Sequence, residues 1–327
     1  MTELVLEIGA PSNVESAIRL VEAAIGCGGT PKGQLYTADT LTMRDAPTYG
    51  KGLKEPATQW EAFSTAMPWD DWIPAVRLAE DLGKPMFFSV FTEAAVDWCE
   101  KHGIGRYKIA SADITHRPLI EYVAATGKPI VMSTGAAYWM EVTAALSWIP
   151  DSPVTLLACD LSYPCPAESA HITRMNSLRF FTTQVGYSDH TEGIGAMLRA
   201  VELGAVMVEK HFTVTPGAGG DHDFAATPTK IDYYQECLRR GTGHGWTEYD
   251  GSSDLAPSEA EMEARTYARR SIVITKDMYD LAPLTRDCVD FLRPGTGIPP
   301  SRWHELESRP VHEVRAGTQL SENHLIL

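Results

Sequence analysis

Eight short apolar runs, most followed by a segment with helical spacing, fill roughly the first 210 residues of this 327-residue chain. The runs are Leu4–Ile8, a weaker one at Gly33–Tyr36, then Pro85–Val90, Tyr107–Ala110, Pro129–Met132, Val154–Cys159, Thr183–Gly186 and Val206–Glu209. Between them the spacing predicts helices at Val14–Ile25, Trp72–Leu82 (stopped by Gly83), Thr92–His102 (Thr92 as N-cap), Leu119–Ala125, Tyr138–Trp148, within 167–180, and at 192–203. Strands separated by helices pair in parallel, because each crossover returns the chain to the same edge of the sheet. Eight of them predict a closed (β/α)8 TIM barrel. An open doubly wound sheet is the competitor, but no Gly-x-Gly-x-x-Gly turn follows the first strand. The polar, proline-containing region 38–70 reads as a long excursion.

The alternation stops near residue 246. Residues 246–268 read as a linker ending in a short acidic helix, and 269–327 as a compact, mostly β second domain, which leaves 1–245 for the barrel. The second domain is marked by Arg270-Ser271-Ile272-Val273-Ile274, by Arg293-Pro294-Gly295-Thr296-Gly297-Ile298, and by the stretch from Val311 to Leu327. A net charge of −15 argues against a nucleic-acid surface and against a polybasic membrane patch. It leaves room for an anionic substrate, since a site can be locally positive. No apolar run approaches the ~20 residues of a spanning helix. Met1-Thr2-Glu3-Leu4 lacks the basic-then-apolar pattern of a signal peptide, and six cysteines show no Cys-x-x-Cys spacing, so a cytoplasmic protein with reduced thiols is expected. Cys159 and Cys165 are the one near pair; a metal–thiolate role for them is the lesser reading.

In a barrel, reacting groups gather at the C-terminal ends of the strands. Those ends carry Glu7; Lys32 and Gln34; Ser89; Lys108 and Ser111; Ser133 and Thr134; Asp160, Ser162 and Tyr163; Ser188 and His190; and Glu209 and His211. One such residue reads as a turn or a cap, whereas eight polar strand ends together predict one polar basin. Two lysines and several hydroxyls suit a small phosphorylated or carboxylated anion. His190 and His211 end neighbouring strands, and two imidazoles can share a divalent ion that polarises a carbonyl; two hydrogen-bonded core histidines are the competing reading. Glu209 and His211 stand two apart and face the same side. Glu7 and Glu209 are candidates for moving protons or holding water. Lys108 reads as a salt-bridged lysine, an anion ligand, or the amine of a Schiff-base aldolase.

These residues resemble a known family. Glu7-Ile8-Gly9, Tyr107-Lys108-Ile109-Ala110-Ser111, Gly127 to Gly135, Tyr163-Pro164-Cys165-Pro166, Gly186 to Thr191 and Glu209 to Thr213 match, in order, the sialic acid synthases of the N-acetylneuraminate synthase type. The match continues through Gly220-Asp221-His222, Ala268 to Ser271 and Arg293 to Ile298. The resemblance implies a TIM barrel followed by a small antifreeze-like domain. It implies a transferase that condenses phosphoenolpyruvate with the open-chain aldehyde of an N-acylated hexosamine, giving a nine-carbon 2-keto acid and phosphate. Lys108, Ser111, Ser133, Ser188 and Ser89, with Lys32 and Gln34 from a poorly matching segment, would bind substrate. His190 and His211 would hold Mn2+ or Mg2+. Glu7, Glu209, Tyr163 and Asp221 would handle protons or contact the sugar. Arg293 would reach into a partner's barrel and hold the N-acyl group, which implies a domain-swapped homodimer.

The departures cluster on the first, second and sixth strands. A polar loop expected after Glu-Ile-Gly is Ala10-Pro11-Ser12-Asn13-Val14, the second strand reads Pro31-Lys32-Gly33-Gln34, and Leu161 replaces an expected Asn or Ser. The acceptor is therefore open between N-acetylmannosamine and a diamino-dideoxyhexose of the legionaminic or pseudaminic series. A non-catalytic, sugar- or phosphoenolpyruvate-binding dimeric relative and a barrel aldolase using another acceptor are the alternatives.

Overall fold

The computed structural model describes residues 2–48, 58–218, 220–242 and 244–326. Readings that touch Met1, residues 49–57 of the excursion, Gly219, Gly243 or Leu327 lie outside the described residues. Eight parallel strands close into a barrel in sequence order. They are β1 (Glu3–Glu7), β2 (Thr30–Leu35), β3 (Phe87–Val90), β4 (Tyr107–Ile109), β5 (Ile130–Ser133), β6 (Val154–Cys159), β7 (Val185–Asp189) and β8 (Met207–His211). Helices Val14–Gly26, Ile73–Asp81, Glu93–Lys101, Arg117–Ala124, Trp139–Ser147 and Gly195–Glu202 pack outside.

The β2 segment, with Pro31 and Gly33, looks too poor in apolar side chains to be a barrel strand. The structure supplies the missing volume from elsewhere. A Cβ on Gly33 would lie 2.7 Å from Trp72 Cη2 and 2.9 Å from Phe88 Cε1. Glycine there lets the Trp72 and Phe88 rings meet edge to face, with centroids 5.1 Å apart, against the strand backbone.

Two helical expectations change. The helix expected within 167–180 is only a turn at Ala167–Ser169 and a helix at Arg174–Leu178, because His171 between them sits at φ +48°. A helix at Pro228–Arg240, ended by Gly241 at φ +60°, has no counterpart in the sequence reading.

The C-terminal region has its own core of Ile272, Ile274, Phe291, Trp303, Val311 and Leu320. Strand β9 (Ser271–Ile274) pairs antiparallel with β11 (Val289–Leu292), and β10 (Ala282–Pro283) with β12 (Pro310–Val311). The linker is not loose. Ile172 N–H donates to Tyr249 O (3.1 Å), Trp139 N–H to Leu255 O (2.9 Å), and the Arg199 guanidinium grips both carboxylate oxygens of Asp250. Within its helix (Glu261–Ala268), the fully buried Glu261 accepts from Ala136 N (2.6 Å), Leu161 N (2.9 Å), Ser258 N (2.8 Å) and Arg174 Nη1 (3.1 Å). A buried carboxylate is tolerated there because every donor it faces is itself in need of an acceptor. The linker thus lies along the strand-end loops and delivers the second domain onto the mouth of the same barrel. Among the described residues, no helix is long and apolar enough to cross a membrane.

Candidate active site

A cavity of about 1050 Å³ opens at the C-terminal ends of the strands. Alternation along the strands puts every second side chain inside. Glu7, Lys32, Gln34, Ser89, Lys108, Ser111, Ser133, Tyr163, Ser188, His190, Glu209, His211, Asp221 and Arg293 all line it. Lys210, between Glu209 and His211, points the other way and is buried against Asp189 (2.7 Å).

On the floor, Lys32 Nζ ion-pairs with the Glu7 carboxylate, donates to Ser89 Oγ (2.9 Å) and lies 3.7 Å from Glu209 Oε2. Lys108 Nζ donates to Ser133 Oγ (2.6 Å) and to Ile109 O (3.1 Å). Ser188 Oγ donates to Glu209 Oε1 (2.9 Å). Both lysines are 2% exposed. Burial pushes the Glu209 carboxyl up, but the Lys108 and Lys32 ammonium groups and the Ser188 hydroxyl outweigh it and bring it down to about 2. Burial, and then repulsion from Lys32, draws the Lys108 ammonium below its ordinary value despite Glu209. Lys32 moves the opposite way: burial lowers it, and Glu209 and Glu7 more than restore it. The floor therefore holds two cations and two carboxylates, with hydroxyls from three further strands.

Beside Glu7 and Glu209 stand the imidazoles, with ring centres 5.4 Å apart. His190 Nδ1 lies 2.6 Å from Asp160 O. A carbonyl only accepts, so Nδ1 carries the hydrogen and Nε2 keeps its lone pair. Burial, then the neighbouring His211, lowers His190 to about 3, so the ring is neutral. His211 Nδ1 is 3.3 Å from Asp221 Oδ2; burial lowers this imidazole, and the carboxylate raises it above its ordinary value. Tyr163 and Phe224 close around the two rings, with Tyr163 4.3 Å from His190 and Phe224 5.1 Å from His211. Among the described residues no group of three or more His, Cys, Asp or Glu side chains is arranged around a metal position. The donor chemistry still fits a divalent ion: one neutral imidazole oriented through its backbone hydrogen bond, a second oriented by a carboxylate, and oxygen ligands left to water or substrate.

Two expectations need correction. Thr134 and Asp160 do not line the cavity. Thr134 Oγ1 donates to Leu157 O (3.1 Å), and the Asp160 carboxylate accepts from Ser162 Oγ (2.5 Å) and Ser258 Oγ (2.9 Å). Burial, then the charge of Glu261, raises Asp160 to about 6. Arg293 lines the cavity within the single chain, its guanidinium carbon 5.4 Å from the Phe63 ring centre. The sequence reading also omits Tyr36, Phe63, Phe91 and Phe224, and Glu259 and Glu263 of the linker, all of which line the cavity. Tyr36 and Phe91 directly follow the ends of β2 and β3, where their apolar rings carry no polar signal, whereas Phe63, Phe224, Glu259 and Glu263 come from segments away from the strand ends.

The model of the NeuB family matches residues 20–240. The N,N'-diacetyllegionaminic acid synthase of Legionella pneumophila is 31% identical over 339 residues, covering 98% of this chain and 94% of that protein. The pseudaminic acid synthase of Helicobacter pylori is 29% identical over 304 residues, covering 89% and 87%. Among solved structures, the spore coat polysaccharide biosynthesis protein SpsE of Bacillus subtilis superposes with a TM-score of 0.83 at 25% identity, covering 100% of this chain and 95% of that one.

Proposed function

The chain belongs to the NeuB family as an enzyme of the sialic acid synthase type, and from that premise we propose that it condenses phosphoenolpyruvate with the open-chain aldehyde of an N-acylated amino hexose. The products are a nine-carbon 2-keto sugar acid and phosphate. The observation that carries this reading is the buried floor, where Lys32 and Lys108 stand among Ser89, Ser133 and Ser188, in one cavity with two imidazoles. A small dianion is the ligand such a floor suits: ammonium groups supply charge and hydroxyls supply direction.

In this reading Lys108, Ser111, Ser133 and Ser188, with Lys32 and Ser89, hold the phosphate and carboxylate of the enol. Its C3 then faces the aldehyde carbon on the imidazole side, and the new bond forms between those two carbons. The paired Lys32 and Glu7 give the nascent hydroxyl its proton. Glu209, held near 2, stays anionic at any working pH. Such a carboxylate is a poor proton store. It serves by accepting a hydrogen bond from the water that adds at C2 and by countering positive charge there. The water adding at C2 returns a proton to the Lys32–Glu7 pair. The tetrahedral C2 then breaks its bond to the phosphate oxygen as its hydroxyl becomes the keto carbonyl. That hydroxyl's proton leaves with phosphate. Gln34, Tyr163, Asp221 and Arg293 hold the sugar. His190 and His211 would carry Mn2+ or Mg2+, and a divalent ion there supplies polarisation of the aldehyde oxygen.

The cavity lining includes the apolar Ala10, Pro11, Phe63, Phe91, Leu161 and Phe224. It supports a deoxygenated, diacylated diamino hexose over N-acetylmannosamine, in keeping with the relatives named above. A homodimer and a cytoplasmic setting belong to the proposal; six buried, unpaired cysteines support the latter. The experiment is a screen of N-acylated hexosamines for phosphate release. Release that needs phosphoenolpyruvate, sugar and divalent ion together is expected. Release without sugar, or none with any acceptor, overturns the reaction. The lowered basicity of Lys108 favours a second reading as a Schiff-base aldolase; failure of borohydride to trap a keto-acid adduct disposes of it.

A further inference from the structure

Asp189 and Lys210 form an ion pair that the proposed reaction does not use. Both are fully buried, and they meet at 2.7 Å on the outer side of the barrel wall, away from the cavity. Taking two charges out of water returns little net stability, and a well-packed apolar pair often does as well or better. The place of this pair in the fold points to another role. The register of β7 on β8 runs Tyr187–Val208, Ser188–Glu209 and Asp189–Lys210, and stops there. His190 and His211 are the next residues on each strand. The two imidazoles therefore leave the sheet one step past its last rung.

The pair's other hydrogen bonds go to Thr191. Asp189 Oδ1 accepts from Thr191 N–H (2.8 Å) and from Thr191 Oγ1 (2.8 Å), and Lys210 Nζ donates to Thr191 O. His190 thus sits between two residues that are both tied to Lys210 on the next strand. The hydrogen bonds at the rings, His190 Nδ1 to Asp160 O and His211 Nδ1 to Asp221, orient each imidazole separately. The ion pair ties one strand end to the other where backbone pairing has ended. Resting on the reading of His190 and His211 as ligands of one divalent ion, we propose that Asp189 and Lys210 are positioning residues for that ion. From behind the barrel wall they hold the two imidazoles, with ring centres 5.4 Å apart, at a spacing that one cation can bridge.

The test measures metal binding without the reaction. Lys210→Met alone strands a buried carboxylate. The variant is therefore Asp189→Asn with Lys210→Met, which keeps an acceptor for Thr191 N–H and leaves no unpaired charge. Val123→Ala, at a fully buried position on the helix Arg117–Ala124, is the control for a general loss of stability. Mn2+ is titrated into each metal-free protein by calorimetry. The double variant should bind at least about tenfold more weakly than wild type, and the control within about twofold of wild type. Equal affinity in the double variant, or an equal loss in the control, overturns the proposal. A double variant that circular dichroism shows unfolded overturns it too, because the pair is then a stability element. A second measurement needs no metal. In NMR spectra of isotope-labelled histidine, His190 is identified by the signal lost in His190→Gln. Wild type should show its fixed Nδ1–H tautomer, and the double variant averaged ring nitrogens; an unchanged tautomer overturns the proposal. If wild type takes up no Mn2+, the metal reading has failed, and these spectra alone decide whether the pair positions the ring.

Discussion

Replacing Glu261 by Ala tests whether the linker is part of the barrel. The carboxylate is fully buried and serves four donors: the backbone N–H groups of Ala136, Leu161 and Ser258, and Arg174 Nη1. The Arg174 guanidinium keeps carbonyl partners at Cys159, Asp254 and Ala256, so its loss is partial. The three N–H groups lose their acceptor, two of them, Ala136 and Leu161, in buried surroundings and Ser258 in half-buried ones. At about 1 kcal/mol for each neutral donor and about 1.5 for the charged one, the loss is about 4.5 kcal/mol, less whatever a water entering the vacated space returns. A penalty of that size is a large share of a typical domain's stability. Equilibrium urea unfolding followed by tryptophan fluorescence should show it as a lowered midpoint. Met262→Ala, on an exposed position of the same helix, is the control and should stay within about 0.5 kcal/mol of wild type. A Glu261→Ala penalty below about 1 kcal/mol would refute the reasoning, since the linker would then be anchored by something other than this carboxylate.

Other outcomes follow from the same contacts. Glu209 lies at about 2 in the folded chain against an ordinary 4.5, so its contribution to stability is complete above pH 4.5 and fades as pH falls toward 2; it amounts to about 3 kcal/mol. Glu209→Gln should therefore be less stable than wild type at pH 7, with the gap narrowing in acid melts; a gap independent of pH would contradict this. Gly33→Ala should destabilise by about 1–3 kcal/mol in thermal melts, because its methyl overlaps Trp72 and Phe88, and an unchanged melting temperature would show that those rings have room to yield. His211→Ala should weaken Mn2+ binding in titration calorimetry at least tenfold without lowering the melting temperature of the metal-free protein by more than a few degrees; equal Mn2+ affinity would remove the metal role.

Strand ends were the legible part of this sequence. Counting to the polar residue that closes each apolar run places Glu7, Lys108, Ser133, Ser188, Glu209 and His211 in one cavity, because strand alternation is a local rule that a parallel barrel enforces at every strand. Thr134 escaped the same rule because it sits one residue past Ser133 and turns to Leu157 O. Gly33 hid a real strand, since its packing partners, Trp72 and Phe88, stand 39 and 55 positions away in sequence. Glu261 read as one acid in an acidic helix; nothing nearby in sequence reveals that its donors are Ala136 and Leu161. Arg293 lines the cavity because its backbone pairs with Leu41 and Met43, a long-range contact with no local signature.

The central claim is that the buried lysines and serines form a floor for an enol phosphate. Titration of phosphoenolpyruvate into the wild-type protein and into Lys108→Met, followed by calorimetry at two salt concentrations, tests it most directly. The account predicts saturable binding by wild type and loss of most affinity in the variant. It also predicts only modest salt dependence, because the charges are buried. No heat from wild type at millimolar phosphoenolpyruvate, or equal binding by the variant, would contradict it.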